Sequence, residues 1–337
     1  MDYNDFQHLI QLAPHVLVGL SFLASVFPYI DKHYRSVAQQ TAHSLLALFY
    51  LVCPRCFLAT TVTGNFNPLH IYLQNFVAAT HIGIAYYTRA TVRTGAREEQ
   101  GITFARAIAA FFSLFTKLFV AWHVTEKGSR GLGISDWFVI CAALSDGVWL
   151  LTEIIRFILN QRSFKDEVDE MCKRTTLWLE GRGSFYAENA FYADSAVSFL
   201  MALMHFAFPN HILKLIIKPD STFDSHHIMW CRLFGVLSLV PAIISLHARH
   251  FAPQAQIPYL ASRVATQLTI FCLNIWGHWV LGLYGPNHIS GFMISGFYTS
   301  FLISSYFRLK RLYNDADAPN RTTVTARIVK TDEVKTD

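Results

Sequence analysis

The stretch "SVAQQTAHSLLALFYLVCPRCFL", Ser36 to Leu58, is an apolar block that runs into a proline, Pro54. A second stretch, "FYADSAVSFLMALMHFAFPNHIL" from Phe191 to Leu213, has the same build and runs into Pro209. After each comes a short segment and then a His-Ile pair, at His70 and His227, that opens the next apolar block. The blocks after those align as "ARAIAAFFSLFTKLFVAW" and "SRVATQLTIFCLNIWGHW", which superposes Arg106 on Arg263 and Trp122 on Trp279. The last pair begins "ISDWF" at Ile134 and "ISGFM" at Ile289, and both end in Arg-containing sequence. A repeat of this kind is read before any motif, and it predicts a tandem duplication of a four-helix unit.

Composition says where such a unit resides. The chain has 337 residues, 53% hydrophobic and only 15% charged, against about 25% charged for an average soluble protein. Its apolar residues fall in blocks of about 20, the length that crosses a ~30 Å hydrocarbon core. Nine blocks qualify, near 9–30, 42–62, 69–88, 103–124, 135–158, 189–209, 228–248, 259–281 and 288–309. The expected fold is therefore all-α: a polytopic transmembrane helical bundle of two parallel four-helix repeats behind an N-terminal helix. The expected division is an N-terminal helix over 1–38, repeats over 39–160 and 187–313, a linker over 161–186 and a disordered cytosolic tail over 314–337. The leading "MDYNDFQH" carries acid and no Lys or Arg, unlike the basic start of a cleaved signal, so the first block is expected to be a helix of the mature chain.

The net charge of +5 does not point to nucleic acid. With an external or lumenal amino terminus and alternating helices, Lys32, Arg35, Arg89, Arg93 and Arg97 fall on the cytosolic side, with Arg162, Lys165, Lys173, Arg174, Arg249 and the basic tail. Only Lys127, Arg130, Lys214 and Lys218 fall outside. That asymmetry is the positive-inside pattern; it sets orientation and suits an endoplasmic reticulum, endomembrane or plasma-membrane protein. Between the repeats, Phe164, Val168, Met171, Cys172, Thr175 and Leu179 share a helical face opposite Asp166, Glu167, Asp169 and Glu170, as an interfacial amphipathic helix would.

Ionisable residues within the bilayer cost at least ~2.5–3.5 kcal/mol each, so they need partners. Lys117 and Asp146 lie at similar depth on adjacent antiparallel helices, and so do Arg106 and Glu153 nearer the cytosolic face. Both are expected as pairs, either lining an ion or proton path or fixing helix register. The second copy has Asn274 and Phe301 where Lys117 and Asp146 stand. The histidines show no metal spacing: His43, His81, His123, His205 and His278 stand singly, and His226-His227 and His247–His250 fall at helix ends. No metal site, cofactor or catalytic residue is expected, and no phosphate loop or nucleophile elbow occurs. Cys53-Pro54-Arg55-Cys56 lacks both a second Cys-x-x-Cys and a thioredoxin-like context. At an external helix end it offers a local disulfide at most.

The run "MHFAFPNHILKLIIKPDSTFDSHHIMWCRLFGVLSLVPAIISLHAR" ends one helix at Phe208-Pro209 and opens the next with Arg232-Leu233-Phe234-Gly235. Over roughly 190–312 it resembles the tumour protein p53-inducible protein 11 family of four-helix membrane proteins, whose helix-start motif would fall on Arg232 and Gly235. The first copy departs from it, with Cys53-Pro54 and Gln74-Asn75-Phe76 at the matching places. The resemblance implies a non-enzymatic membrane protein linked to growth, adhesion or stress control. The leading expectation is thus a regulatory or scaffolding protein that contacts membrane lipids and membrane or cytosolic proteins. The alternative is a solute, ion or proton transporter with its path between the parallel repeats.

Overall fold

The computed structural model describes residues 3–27, 31–90, 96–127, 133–159, 164–180, 187–286 and 288–333. The fold is all-α. Its helices are α1 (Tyr3–Ala24), α2 (Lys32–Val52), α3 (Pro54–Thr61), α4 (Pro68–Ala90), α5 (Ala96–Lys127), α6 (Phe138–Ala142) and α7 (Val148–Leu159). They continue as α8 (Phe164–Leu179), α9 (Ala187–Ala207), α10 (Pro209–Ile216), α11 (Ser225–Ala248), α12 (Pro253–Trp279) and α13 (His288–Glu333). A single π-helical turn, Ala143–Gly147, joins α6 to α7.

Among the described residues, four helical stretches are long and apolar enough to cross a membrane: Glu99–Val124, Phe138–Leu159, Asn189–Ala207 and Ser225–Ala248. The other apolar blocks are shorter or carry more polar residues on their buried faces. Leu12–Ala24 is the apolar part of α1, while α2 and α4 bury Gln39, His43, Gln74, Asn75 and His81.

Both prolines that end the apolar blocks break the chain in the same way. Pro54 and Pro209 each occupy the first turn of a new eight-residue helix, the position where a missing N–H costs nothing. The residue before each proline is forced out of the helical region: Cys53 sits at φ −123°, ψ 48° and Phe208 at φ −123°, ψ 44°. Each short helix leads into an extended segment. Strand β1 (Val62–Thr63) pairs antiparallel with β2 (Gly133–Ile134), and Ile217 bridges Tyr284. Gly282 supplies the turn before Tyr284, with φ +58°.

The packing is centred on α4 and α11. Helix α4 lies against α2, α11 and α12, and α11 lies against α9, α4 and α5. Helix α5 also packs on α7, α12 on α13, and α1 on α2. Close approach needs small residues at the crossings. A Cβ on Gly235 would lie 2.7 Å from the Phe206 backbone nitrogen, and one on Gly83 would run into the Thr266 hydroxyl.

Several expectations are corrected here. Helix α11 starts at Ser225, so Arg232 and Gly235 are not a helix start but lie in its second and third turns. Gly235 is instead the contact point with α9, and Arg232 is half-buried. Helix α8 forms as predicted, yet Glu167 is buried beside Val168 and Met171 while Phe164 is exposed. The helix docks on α11, and that contact, not the linker's own apolar stripe, selects the buried face. Helix α13 runs to Glu333. Cys53 carries a free, exposed thiol, and the Cys56 side chain lies outside the described residues, as do the linker flanks 161–163 and 181–186.

Candidate functional site

Four helices turn a polar stripe toward one another, each set by helical spacing. Helix α2 contributes Lys32, Gln39, His43 and Tyr50; α4 contributes His81 and Thr88; α5 contributes Glu99, Arg106, Ser113 and Lys117. The π turn and α7 contribute Asp146, Trp149, Glu153 and Arg156. From Glu99 to Lys117 the stripe climbs about 27 Å at 1.5 Å per residue, close to a hydrocarbon thickness.

The groups meet at four levels. At the first, Glu99 lies 3.2 Å from Lys32 and 3.0 Å from Arg156. At the second, the fully buried Glu153 takes Arg106 at 3.0 Å and accepts hydrogen bonds from Gln39 at 3.0 Å and Trp149 at 3.3 Å. Arg106 also donates to Thr88. At the third, His43 and His81 share a hydrogen bond between their Nδ1 atoms, 3.1 Å apart, so one ring must donate and the other accept. At the fourth, Asp146 pairs with Lys117 and accepts from Ser113 at 2.8 Å and Ser145 at 3.3 Å. Tyr50, Lys117 and His15 of α1 line the same small cavity.

Both charge pairs expected from depth therefore form, Lys117 with Asp146 and Arg106 with Glu153. The π turn takes part in the first, because Asp146 lies inside it. Such turns widen the helix locally and are frequent at functional sites.

Two constellations escaped the sequence reading. The first surrounds Asp194 of α9, which is fully buried. Arg263 donates to both its carboxylate oxygens, at 3.1 and 3.0 Å, and Tyr298 and Ser245 donate to it as well. Arg263 also donates to Ser198 at 2.9 Å. The signal was available: Arg263 aligns with Arg106, and Asp194 aligns with Gln39, the residue that hydrogen-bonds Glu153.

The second joins the starts of α4 and α11. Asn67 caps α4, accepting from the backbone of Leu69 and His70 at 3.0 and 3.2 Å. Asp224 caps α11 through the backbone of His226 and His227, both at 3.0 Å. Each cap's own N–H points back to the Nδ1 of the histidine three residues on, at 3.3 Å for His70 and 3.2 Å for His227, a capping box with histidine in the acid's place. The two rings lie against each other, tilted by 32°, with centroids 3.7 Å apart. His70 Nε2 reaches Asp224 at 3.0 Å and His227 Nε2 reaches Asn67 at 3.1 Å. Burial alone would raise the Asp224 carboxyl, but hydrogen bonds from His227 and His70 outweigh it and hold the group well below the usual carboxylate range.

The larger cavities lie away from the polar stripe: about 350 Å³ beside Phe191, Leu260 and Phe301, and about 60 Å³ beside Tyr72, His205 and Tyr284. The cavity beside Tyr87, Ser198 and Arg263 holds about 20 Å³ and the one beside His15 and Lys117 about 10 Å³, room for about one water.

A family described as a domain of unknown function, DUF8292, matches residues 37–306. No curated protein and no solved structure matches the chain.

Proposed function

The chain belongs to the DUF8292 family, whose description carries no activity, and from its geometry we propose a multi-pass membrane protein of two parallel repeats with a proton path through the first. The four stacked levels of ionisable and polar groups carry this reading. They run from Glu99 to Asp146 across the depth of the bundle. Charged groups buried at that depth are functional by default in a membrane protein. The cavity beside His15 and Lys117, of only about 10 Å³, favours a proton over a solute at the stripe.

The packing supports the repeat. Helices α2, α4, α5 and α6–α7 correspond in order to α9, α11, α12 and α13. Under that correspondence α4 on α12 mirrors α11 on α5, and α2 on α4 mirrors α9 on α11. The matching backbone angles at Cys53 and Phe208, and the paired strands after α3 and α10, follow the same order. The family match begins at residue 37 and leaves α1 outside, as an added first helix would be. The two Trp residues that align, Trp122 and Trp279, are both exposed, in keeping with an interfacial aromatic belt. The amino terminus is external or lumenal in this reading and the carboxyl terminus cytosolic.

A second reading, the regulatory or scaffolding role, is favoured by the full pairing of Glu99, Glu153 and Asp146 with cations. In that role the pairs fix helix register. Proteoliposomes with an internal pH dye separate the two. A proton flux that falls at least tenfold in Asp146→Asn but not in Asp194→Asn is expected. No flux above empty liposomes would leave the scaffold.

A further inference from the structure

The cluster at the starts of α4 and α11 has a property that capping alone does not require. The ring-nitrogen distances admit two proton arrangements. In one, both Nδ1 atoms accept from the capping N–H groups, and each Nε2–H donates across to the other segment's Asx side chain. In the other, His70 Nδ1–H and His227 Nε2–H both donate to Asn67 Oδ1, at 2.8 and 3.1 Å. That second arrangement leaves two lone pairs, His70 Nε2 and His227 Nδ1, facing the two oxygens of Asp224 at 3.0 and 2.9 Å. In that arrangement acceptors confront acceptors, a contact that a shared cation relieves, as a return to the first arrangement does for His70.

The donor set is that of a borderline metal: two imidazole nitrogens and one carboxylate. The three ligand atoms lie within 4.8 Å of one another. Ligands about 2.1 Å from a tetrahedral ion stand roughly 3.4 Å apart, so a small spreading of the two contacts admits it. Asn67 completes the arrangement, because its oxygen takes the second N–H of both rings and so fixes their orientation, as outer-shell acceptors do at metal sites. The Asp224 side chain is 13% exposed, which opens a fourth position to water. The positive ends of two helix dipoles oppose a cation here, and the carboxylate offsets them. The pairing of the rings depends on the two segments meeting, so the site exists only in the assembled bundle.

We infer that His70 Nε2, His227 Nδ1 and the Asp224 carboxylate form a binding site for one divalent transition-metal ion of the zinc class. The two segments differ at the cap, Asn67 against Asp224, and this difference places the ion on the Asp224 side and limits it to one. The site depends neither on the membrane orientation nor on the proton path.

The test uses the full-length chain in detergent, untagged and stripped with chelator, titrated with Co²⁺. One equivalent with a visible ligand-field band, displaced by Zn²⁺, is expected. Asp224→Asn keeps a helix cap of equal quality, so its melting transition in the absence of metal should persist. Its Co²⁺ affinity should fall at least a hundredfold. His70→Gln should abolish the band. Absence of saturable Co²⁺ binding at one equivalent overturns the site, and so does binding that Asp224→Asn leaves unchanged. A cluster that responds to pH while binding no Co²⁺ is a protonic latch, and overturns it too.

Discussion

Glu153 shows what a buried charge demands of its neighbours. Its carboxylate is fully buried and has Arg106, Gln39 and Trp149 around it. Removing one partner of a buried pair costs about 3–5 kcal/mol, because the other is stranded, whereas replacing both with apolar groups is often neutral. Glu153→Gln should therefore lower stability by about 3–5 kcal/mol. Arg106→Met with Glu153→Leu should recover most of it, as read by chemical denaturation in detergent. If the double variant is as unstable as the single one, the pair does more than neutralise itself. Glycines offer a cleaner contrast. Gly235→Ala would press a methyl to within 2.7 Å of Phe206 and 2.9 Å of Ala202 backbone atoms, and overpacking of this kind costs about 1–3 kcal/mol. Gly291→Ala meets nothing within 4 Å and should leave the melting temperature unchanged or raise it. Equal effects at the two positions would contradict the packing. Depth along antiparallel neighbours was enough to pair Lys117 with Asp146 and Arg106 with Glu153. Asp194 escaped because its partner, Arg263, lies on α12, with α10 and α11 between them in the chain.

Element by element, the chain's own chemistry accounts for ends better than for faces. Pro54 and Pro209 mark helix breaks, and the Asx-x-x-His spacing at Asn67 and Asp224 marks helix starts. These are local effects of φ restriction and capping. The face that an element buries depends on its neighbour, which is why Glu167 of α8 turned inward against expectation. The π turn is the sharpest case, since nothing in "ALSDG" announces it. It holds Asp146 against Lys117 while α7 keeps Glu153 against Arg106. Deleting Ala143 should close the turn to regular helix, leave α6 and α7 nearly in their present relation and turn Asp146 away from Lys117. Thermal stability should then fall as the Asp146 pair is lost. A deletion variant that melts like the parent would mean the turn carries no constraint.

Across the whole molecule, the proposed orientation, with a cytosolic carboxyl terminus, rests on charge placement. Asn320-Arg321-Thr322 is a glycosylation sequon, and a cytosolic carboxyl terminus keeps it unmodified. Expression in glycosylating cells should give a chain of unchanged mobility after glycosidase treatment; a glycan on Asn320 would invert the topology. By itself the sequence determined the all-α class, the apolar blocks, the proline breaks and the charge asymmetry, because each depends on composition or on residues within a few turns of one another. Only the tertiary structure decided that His70 meets His227, that His43 meets His81 and that Asp194 meets Arg263. A helix fixes which of its residues share a face, but not which other helix that face will meet. That choice belongs to packing between segments far apart in the chain.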